Sequence, residues 1–436
     1  MNVQTPPSVS EDAVVSAAAT RAGNYRWVIC GLLFAATAIN YVDRQILGVL
    51  KPTLQHELNW NEIQYADIVF WFQAAYAVGY LGFGRLVDRI GARLGFAGAI
   101  VIWTIAHIAH AFARTAFGFT MARVGLGLGE SGNFPAGVKA VAEWFPKRER
   151  ALATSIFNAG SGIGAIITPL IVPAIVLSFG WRAAFLITGS FSLIWLAVWL
   201  VTYRHPRQHP RVTPGELAII ESDPPDSEAH ANIPWLRLLR VKETWAYALA
   251  KFLIDPIWWM YLFWLPGFFA DRYHLDLKSF GPPVVAVYIM SDIGSVAGGW
   301  LSSQLIKMGF TINAARKLTM LISCFAILPI VFAMYADNLW LAVGIIGLAT
   351  AAHQSFSANL YTLPSDVFPR AAVASVIGIG GTIGAIGGML MSKYTGYVLQ
   401  TLGTYTPIFV VAAGAYALAL LVVHLLSPKY APANVD

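Results

Sequence analysis

Runs of about twenty apolar residues recur along nearly the whole chain, and runs of that length leave few folds open. In hydrocarbon every backbone N–H and C=O must be satisfied within the protein, so only α-helices and closed barrels cross a bilayer. Barrel strands would alternate over about ten residues, so continuous runs predict helices. They fall at 26–48, 62–86, 93–113, 118–140, 151–178 and 182–203, then at 244–270, 281–306, 313–336, 338–364, 372–399 and 403–427. The expected fold is an all-α integral membrane protein of twelve transmembrane helices.

Only 12% of the 436 residues are charged, where a soluble domain carries about 25%. Residues 1–23 are polar and small, without a basic start or short apolar core, so no signal peptide is expected. Cys30 and Cys324 both lie in apolar runs, which argues against a disulfide framework. A polar, proline-rich stretch separates the sixth run from the seventh. It divides the chain into six-helix units at 26–203 and 244–427, with a linker at 204–243 and tails at 1–25 and 428–436.

Lys and Arg concentrate in alternate loops. Arg85, Arg89 and Arg93 flank the second loop, Lys147, Arg148 and Arg150 the fourth, and the linker adds Arg204, Arg207, Arg211, Arg237, Arg240 and Lys242. By the positive-inside rule the even loops and both termini are cytoplasmic. The same basic loops account for the net charge of +6 without nucleic acid.

The halves echo each other. "AEWFPKRERALATSIFNAGSGIGAI" at 142–166 matches "SDVFPRAAVASVIGIGGTIGAI" at 365–386, pairing Glu143 with Asp366, Pro146 with Pro369 and Gly164 with Gly384. "GFGRLVDRIGAR" at 82–93 has a degraded partner in "GGWLSSQLIKMG" at 298–309, with Ser303 in place of Asp88. Two similar six-helix halves suggest a parallel repeat of the transporter type, whereas shared Gly/Ala-rich composition alone would not keep the acid-x-Phe-Pro-basic order.

"GRLVDRIGAR" (Gly84 to Arg93) resembles the loop motif of the major facilitator superfamily, and "RVGLGLG" (Arg123 to Gly129) its fourth-helix pattern. Within that superfamily "NYVDRQ", "GLGLGESGNFPA" and "EWFPKRERALATSIFNAG" resemble the anion:cation symporter branch. "KFLIDPIWWMYLFWLPGFF", "YIMSDIGSVAGGWLSS" and "HQSFSANLYT" look most like its bacterial hexuronate transporters. The resemblance spans 26–427 and implies a proton-coupled importer of glucuronate or galacturonate in the bacterial inner membrane.

Charges inside apolar runs cost about 2.5–3.5 kcal/mol each on insertion scales, so they belong in a protein interior or a watery cavity. Asp43 and Arg44 stand side by side in the first run. With helices of 1.5 Å rise per residue, Asp43 and Arg123 fall at nearly the same depth and Glu130 near mid-membrane, so two acids can balance two bases. A static network holding the first helix to the fourth would look the same. Arginine's planar fork makes Arg44 the natural clamp for a carboxylate. Desolvation raises a carboxyl pKa and a neighbouring arginine lowers it, so Asp43 and Glu130 are the candidates to carry protons, with Arg123 beside them. The resemblance implies the same roles.

A sugar end needs stacking surfaces and neutral hydrogen-bonding groups. Tyr41, Gln73, Tyr76, Trp258 and Tyr261 are candidates, though such aromatics are as readily packing. His353, Gln354, Ser355 and Asn359 are expected to line the cavity, and Asn158, Ser161 and Thr382 are the nearest counterparts of the family's polar residues on the fifth and eleventh helices. Lys251 and Asp255, four apart, face one way and can neutralise each other. Asp292 could pair with Lys251 or protonate by itself, and Lys393 is expected to snorkel.

The resemblance places Asp88 against the electropositive N-terminus of the eleventh helix, as a gate locking the cytoplasmic side. Arg89, Arg93, Glu143 and Arg150 would extend it. Other readings are import of an aldonate, aldarate or aromatic acid, or drug export, which the missing Gly-Pro-x-x-Gly-Gly pattern in "NAGSGIGAIITPLI" and the two arginines disfavour. No nucleophile–base pair, metal-spaced cluster or phosphate loop suggests an enzyme. No cofactor is expected beyond the proton, no partner beyond lipid and the sugar acid, and a monomer is expected.

Overall fold

The computed structural model describes residues 23–222 and 235–434, a few helix side chains excepted, Asp88 among them. Most of the N-terminal tail, the last two residues and the middle of the linker lie outside these residues. Regular structure among them is entirely helical.

Helix α1 (Tyr25–Leu58) stops where Asn59 turns left-handed at φ 54°. Helix α2 (Glu62–Ala109) opens on a capping box in which Asn61 and Gln64 satisfy each other's backbone N–H. Gly91, at φ 81° and ψ 163°, breaks it into two arms, a turn that a side chain would resist. The turn Ser131–Gly132 separates α3 (Ala116–Glu130) from α4 (Asn133–Trp144). Then come α5 (Lys147–Phe179), α6 (Trp181–Thr202) and a short linker helix, α7 (Pro214–Ile220). The second half comprises α8 (Lys242–Tyr273), α9 (Gly281–Lys307), α10 (Ile312–Ile327, prolonged by a 3-10 stretch to Tyr335), α11 (Leu339–Leu360), α12 (Arg370–Leu402) and α13 (Thr406–Leu426).

Among the described residues ten helices are long and apolar enough to cross a membrane, where the sequence suggested twelve. The two expected spans not among them are 62–86 and 118–140. Glu62, Gln64, Asp67 and Gln73 dilute the first, and the second is cut at Ser131, leaving α3 only 15 residues long.

Glycines set the helix contacts. A Cβ on Gly160 would lie 2.3 Å from the Phe34 carbonyl oxygen, and one on Gly164 2.5 Å from that of Ala38, so α5 presses backbone to backbone on α1. The second half repeats the contact. A Cβ on Gly384 would meet Asp255 Oδ2 at 2.3 Å and one on Gly387 the Phe252 carbonyl at 2.4 Å, which seats α12 on α8. The internal repeat in the sequence is one helix–helix contact made twice.

The linker is no free tether. The N–H of Arg26 donates to Glu216 Oε1 at 2.9 Å, that of Gly23 to Thr213 Oγ1 at 3.1 Å, and Tyr25 lies 4.3 Å from the His209 ring. Burial holds the His209 imidazole below its usual pKa. The linker and both described chain ends therefore share one face of the bundle, the terminal face.

The halves close at the opposite, distal end. Tyr65 donates to the Phe263 carbonyl at 2.7 Å, a Cβ on Gly48 would lie 2.7 Å from that of Leu262, and one on Gly396 would lie 2.3 Å from Ala66 Cβ. Lys393 does not snorkel but forms an ion pair with Asp67 of the other half. Lys51, buried nearby, pairs with Glu62 at 2.8 Å.

At the terminal face three of the residues expected to extend a gate have hydrogen-bond partners inside the first half. Arg93 Nη2 donates to the Leu200 carbonyl at 2.5 Å, and Glu143 accepts from Tyr203 Oη at 2.7 Å. Arg150 donates to the carbonyls of Phe145 (2.9 Å) and Ala142 (3.1 Å). Arg89 is exposed, and the side chain of Asp88 lies outside the described residues.

Candidate binding cavity

A cavity of about 630 Å³ lies between the halves, within the 300–1,000 Å³ typical of ligand sites. Its walls run from mid-helix towards the terminal face on α1, α2, α5, α8, α11 and α12. Trp259 and Leu262 lie at its distal end, next to the closed contacts above.

Arg44 forms one wall and is 4% exposed. Its Nε donates to Glu130 Oε2 at 2.9 Å and Nη2 to Asn40 Oδ1 at 3.1 Å, while rings of Tyr41 (4.9 Å), Tyr76 (4.9 Å) and Trp259 (5.2 Å) surround the guanidinium. Among the described residues Nη1 bonds nothing, so a charged, planar donor is left towards the cavity. The Gly-x-Gly motif puts Glu130 there. A Cβ on Gly127 would lie 2.4 Å from the Phe72 carbonyl and one on Gly129 2.4 Å from the Trp103 nitrogen, so α3 is wedged against both arms of α2.

The four charges do not form a single cluster. Asp43 turns away from the cavity, where its Oδ2 accepts from Trp103 Nε1 (3.1 Å) and Ser192 Oγ (3.2 Å) and its Oδ1 lies 3.3 Å from His107 Nε2. That imidazole nitrogen is also 2.7 Å from Thr188 Oγ1. Arg123, fully buried, donates to the Arg44 carbonyl at 3.2 Å and lies over the Phe72 ring at 5.4 Å. Its Nε and Nη1, Glu130 Oε1 and Asp43 Oδ1 have no hydrogen-bond partner among the described residues.

Tyr41, Tyr76, Asn158 and Ser161 line the first half's side of the cavity, and Trp258, His353, Gln354 and Thr382 the second. His353 stacks on Trp258 at 5.2 Å and shares a 2.6 Å hydrogen bond with Tyr416 Oη, so its ring is held in place. Four expected contacts lie elsewhere. Gln73 is buried against Ser392 and Tyr261 is 1% exposed within the core. Ser355 is bonded to Ser323 at 3.0 Å on the side of α11 that meets α9, and Asn359 donates to the Gly298 carbonyl at 3.2 Å. Ser355 and Asn359 are four apart on one helix face; Gln354 and Ser357 hold the cavity-facing side.

The sequence reading missed Tyr80, Tyr247, Trp259 and Tyr361, all of which line the cavity. Tyr76 and Tyr80 are one helical turn apart, a signal that was available. Lys251 and Asp255 do pair, at 2.8 Å, but within this wall, and Lys251 also donates to Tyr361 Oη at 2.6 Å. Asp292 lies away from them, beside Gly162. His107 was also missed, although an imidazole within an apolar run marked it.

The sequence model of the Major Facilitator Superfamily matches residues 33–392. The chain is 32% identical to the hexuronate transporter of Escherichia coli strain K12, over 91% of this chain and 93% of that protein. It is 30% identical to the galacturonate transporter of Dickeya chrysanthemi (78% and 98%) and 29% to a probable galactarate/D-glucarate transporter of Bacillus subtilis (92% and 91%). Among solved structures, a bacterial homologue of the human lysosomal transporter Spinster superposes with a TM-score of 0.73 at 15% identity, covering 94% of this chain and 97% of that one.

Proposed function

The chain belongs to the major facilitator superfamily, a multi-pass transporter of the bacterial inner membrane rather than an enzyme. From that premise we propose that it is a proton-coupled symporter importing hexuronates such as glucuronate and galacturonate by alternating access. The named relatives at 32% and 30% identity favour that substrate class. In this reading twelve helices span the membrane as two six-helix bundles, and the terminal face is cytoplasmic, as the basic loops suggest. The chain works as a monomer, with the proton as its coupling ion.

One observation carries the reading: a buried arginine, paired with a single glutamate, faces the cavity between the halves. While Glu130 is ionised it competes with a substrate carboxylate for Arg44. Once protonated it releases the guanidinium, and the sugar acid takes its place in a bidentate fork. Proton and substrate are then bound together, which is what a symporter requires. Asp43, held by Trp103, Ser192 and His107, is the second proton carrier, with Arg123 buried beside Arg44. The aromatic and amide side chains of Tyr41, Tyr76, Asn158, Trp258, His353 and Gln354 receive the sugar ring. Asp88 is the proposed lock of the cytoplasmic gate when the outside is open.

Uptake by proteoliposomes of a panel of sugar acids, with and without an inward proton gradient, tests this. Gradient-dependent accumulation of glucuronate or galacturonate is expected. Accumulation of an aldonate or an aromatic acid alone would favour another anion symporter, and uptake indifferent to the gradient would remove the proton.

A further inference from the structure

The cavity has a second cation, on its α8 wall. Lys251 is 3% exposed, yet it lines the cavity with Asp255 and Tyr361. Its Nζ lies 2.8 Å from Asp255 Oδ2 and 2.6 Å from Tyr361 Oη. An ammonium has three N–H donors, so the third is not used by these two partners. Tyr361 Oη accepts from Lys251, which leaves its own proton free to donate to something in the cavity. The pair is built as the Arg44–Glu130 pair is: a buried cation, one acid on it, aromatic rings beside it (Tyr361 at 4.2 Å), and an opening to the same space.

The spacing of the two cations has a chemical meaning. Trp259, which stands over Arg44, lies on the same helix as the lysine pair, four residues beyond Asp255 and eight beyond Lys251. At 1.5 Å per residue the lysine pair and the Trp259 ring against Arg44 are offset by about 6–12 Å along α8. That is too far for one carboxylate to touch both. Five C–C bonds of about 1.5 Å, with a charged N–H···O contact of about 2.8 Å at each end, allow an extended six-carbon diacid to bridge up to about 13 Å.

We propose that Lys251, with Tyr361, is a second anion subsite, and that the cavity therefore takes six-carbon sugar diacids (aldarates) with one carboxylate on Arg44 and the other on Lys251. This rests on the reading of Arg44 as the first clamp. A hexuronate has a carboxylate at one end only, so its neutral end gains little from the lysine. Asp255 is the built-in competitor, as Glu130 is at the other end.

Binding of glucarate and glucuronate to the purified full-length protein, measured by calorimetry, tests the proposal. Lys251→Gln should lower the ratio of glucarate to glucuronate affinity tenfold or more, and residual glucuronate binding shows that the variant is folded. Asp255→Asn should raise the preference for glucarate over glucuronate, a change of ratio that a merely structural pair would not produce. Equal weakening of both ligands by Lys251→Gln, or unchanged glucarate binding, overturns the second subsite. Wild-type protein that binds glucuronate but not glucarate also overturns it and leaves the parent reading standing. Protein that binds neither overturns both.

Discussion

Arg44 Nε and Glu130 Oε2 lie 2.9 Å apart in the wall of the cavity, while the other glutamate oxygen, Oε1, is buried with no hydrogen-bond partner among the described residues. The pair holds the arginine in place but leaves the glutamate half satisfied.

Arg44→Ala and Arg44→Lys should both abolish binding of glucuronate. Lysine keeps the charge and loses the planar fork that meets Glu130, Asn40 and the cavity at once. Removing one partner of a buried pair costs about 3–5 kcal/mol, so the alanine variant should also melt earlier. The double variant Arg44→Ala/Glu130→Gln should recover that stability without recovering binding. Wild-type affinity in the lysine variant, measured by calorimetry, would remove Arg44 from the site.

Glu130→Gln mimics the protonated acid. It should bind glucuronate and exchange it across the membrane, but fail to accumulate it under a proton gradient. Counterflow and gradient-driven uptake in the same vesicles separate the two. Accumulation at the wild-type level would exclude Glu130 as a proton carrier.

Gly164→Val should be damaging far from any charge. A Cβ there would already lie 2.5 Å from the Ala38 carbonyl and 2.7 Å from Tyr41 Cβ, so α5 must move off α1 and carry Asn158 and Ser161 with it. Overpacking of this kind costs about 1–3 kcal/mol. A lowered melting temperature together with weaker substrate binding is expected, and an unchanged melting curve would contradict the packing described.

Breaking the distal closure should shift the balance of states. Lys393→Ala removes the ion pair to Asp67, whose two side chains are 46% and 38% exposed. An exposed pair is worth about 0.2–1 kcal/mol, so the ratio of protein open at the terminal face to protein open at the distal face should fall by up to about fivefold. Spin labels across the terminal mouth should show more of the short-distance population by double electron–electron resonance. Asp67→Asn should do the same. Identical distance distributions in variant and wild type would mean that this pair holds nothing shut.

The sequence by itself determined the membrane class, the two similar halves and the place of the charges. Length and hydropathy of a run decide whether a helix can sit in lipid, and an ionisable residue in such a run has nowhere to go but inward. The match of Gly164 with Gly384 was legible as a repeat, and in the structure each stands where another helix packs on it, Gly164 against the Ala38 carbonyl and Gly384 against the Asp255 side chain. Only the tertiary structure decided partners and faces. Asp43 and Arg44 are neighbours in the chain, but the helix points them about 100° apart, one to the Trp103–Ser192–His107 pocket and the other to the cavity. Ser355 and Asn359 are as polar as Gln354, yet they face α9 rather than the cavity. Lys251 and Asp255 read as a self-neutralising pair until α11 brought Tyr361 and the cavity to them. A sequence carries the period of a helix. Which side of it meets a neighbour and which meets open space is set by how the helices pack, and that is where the binding site is made.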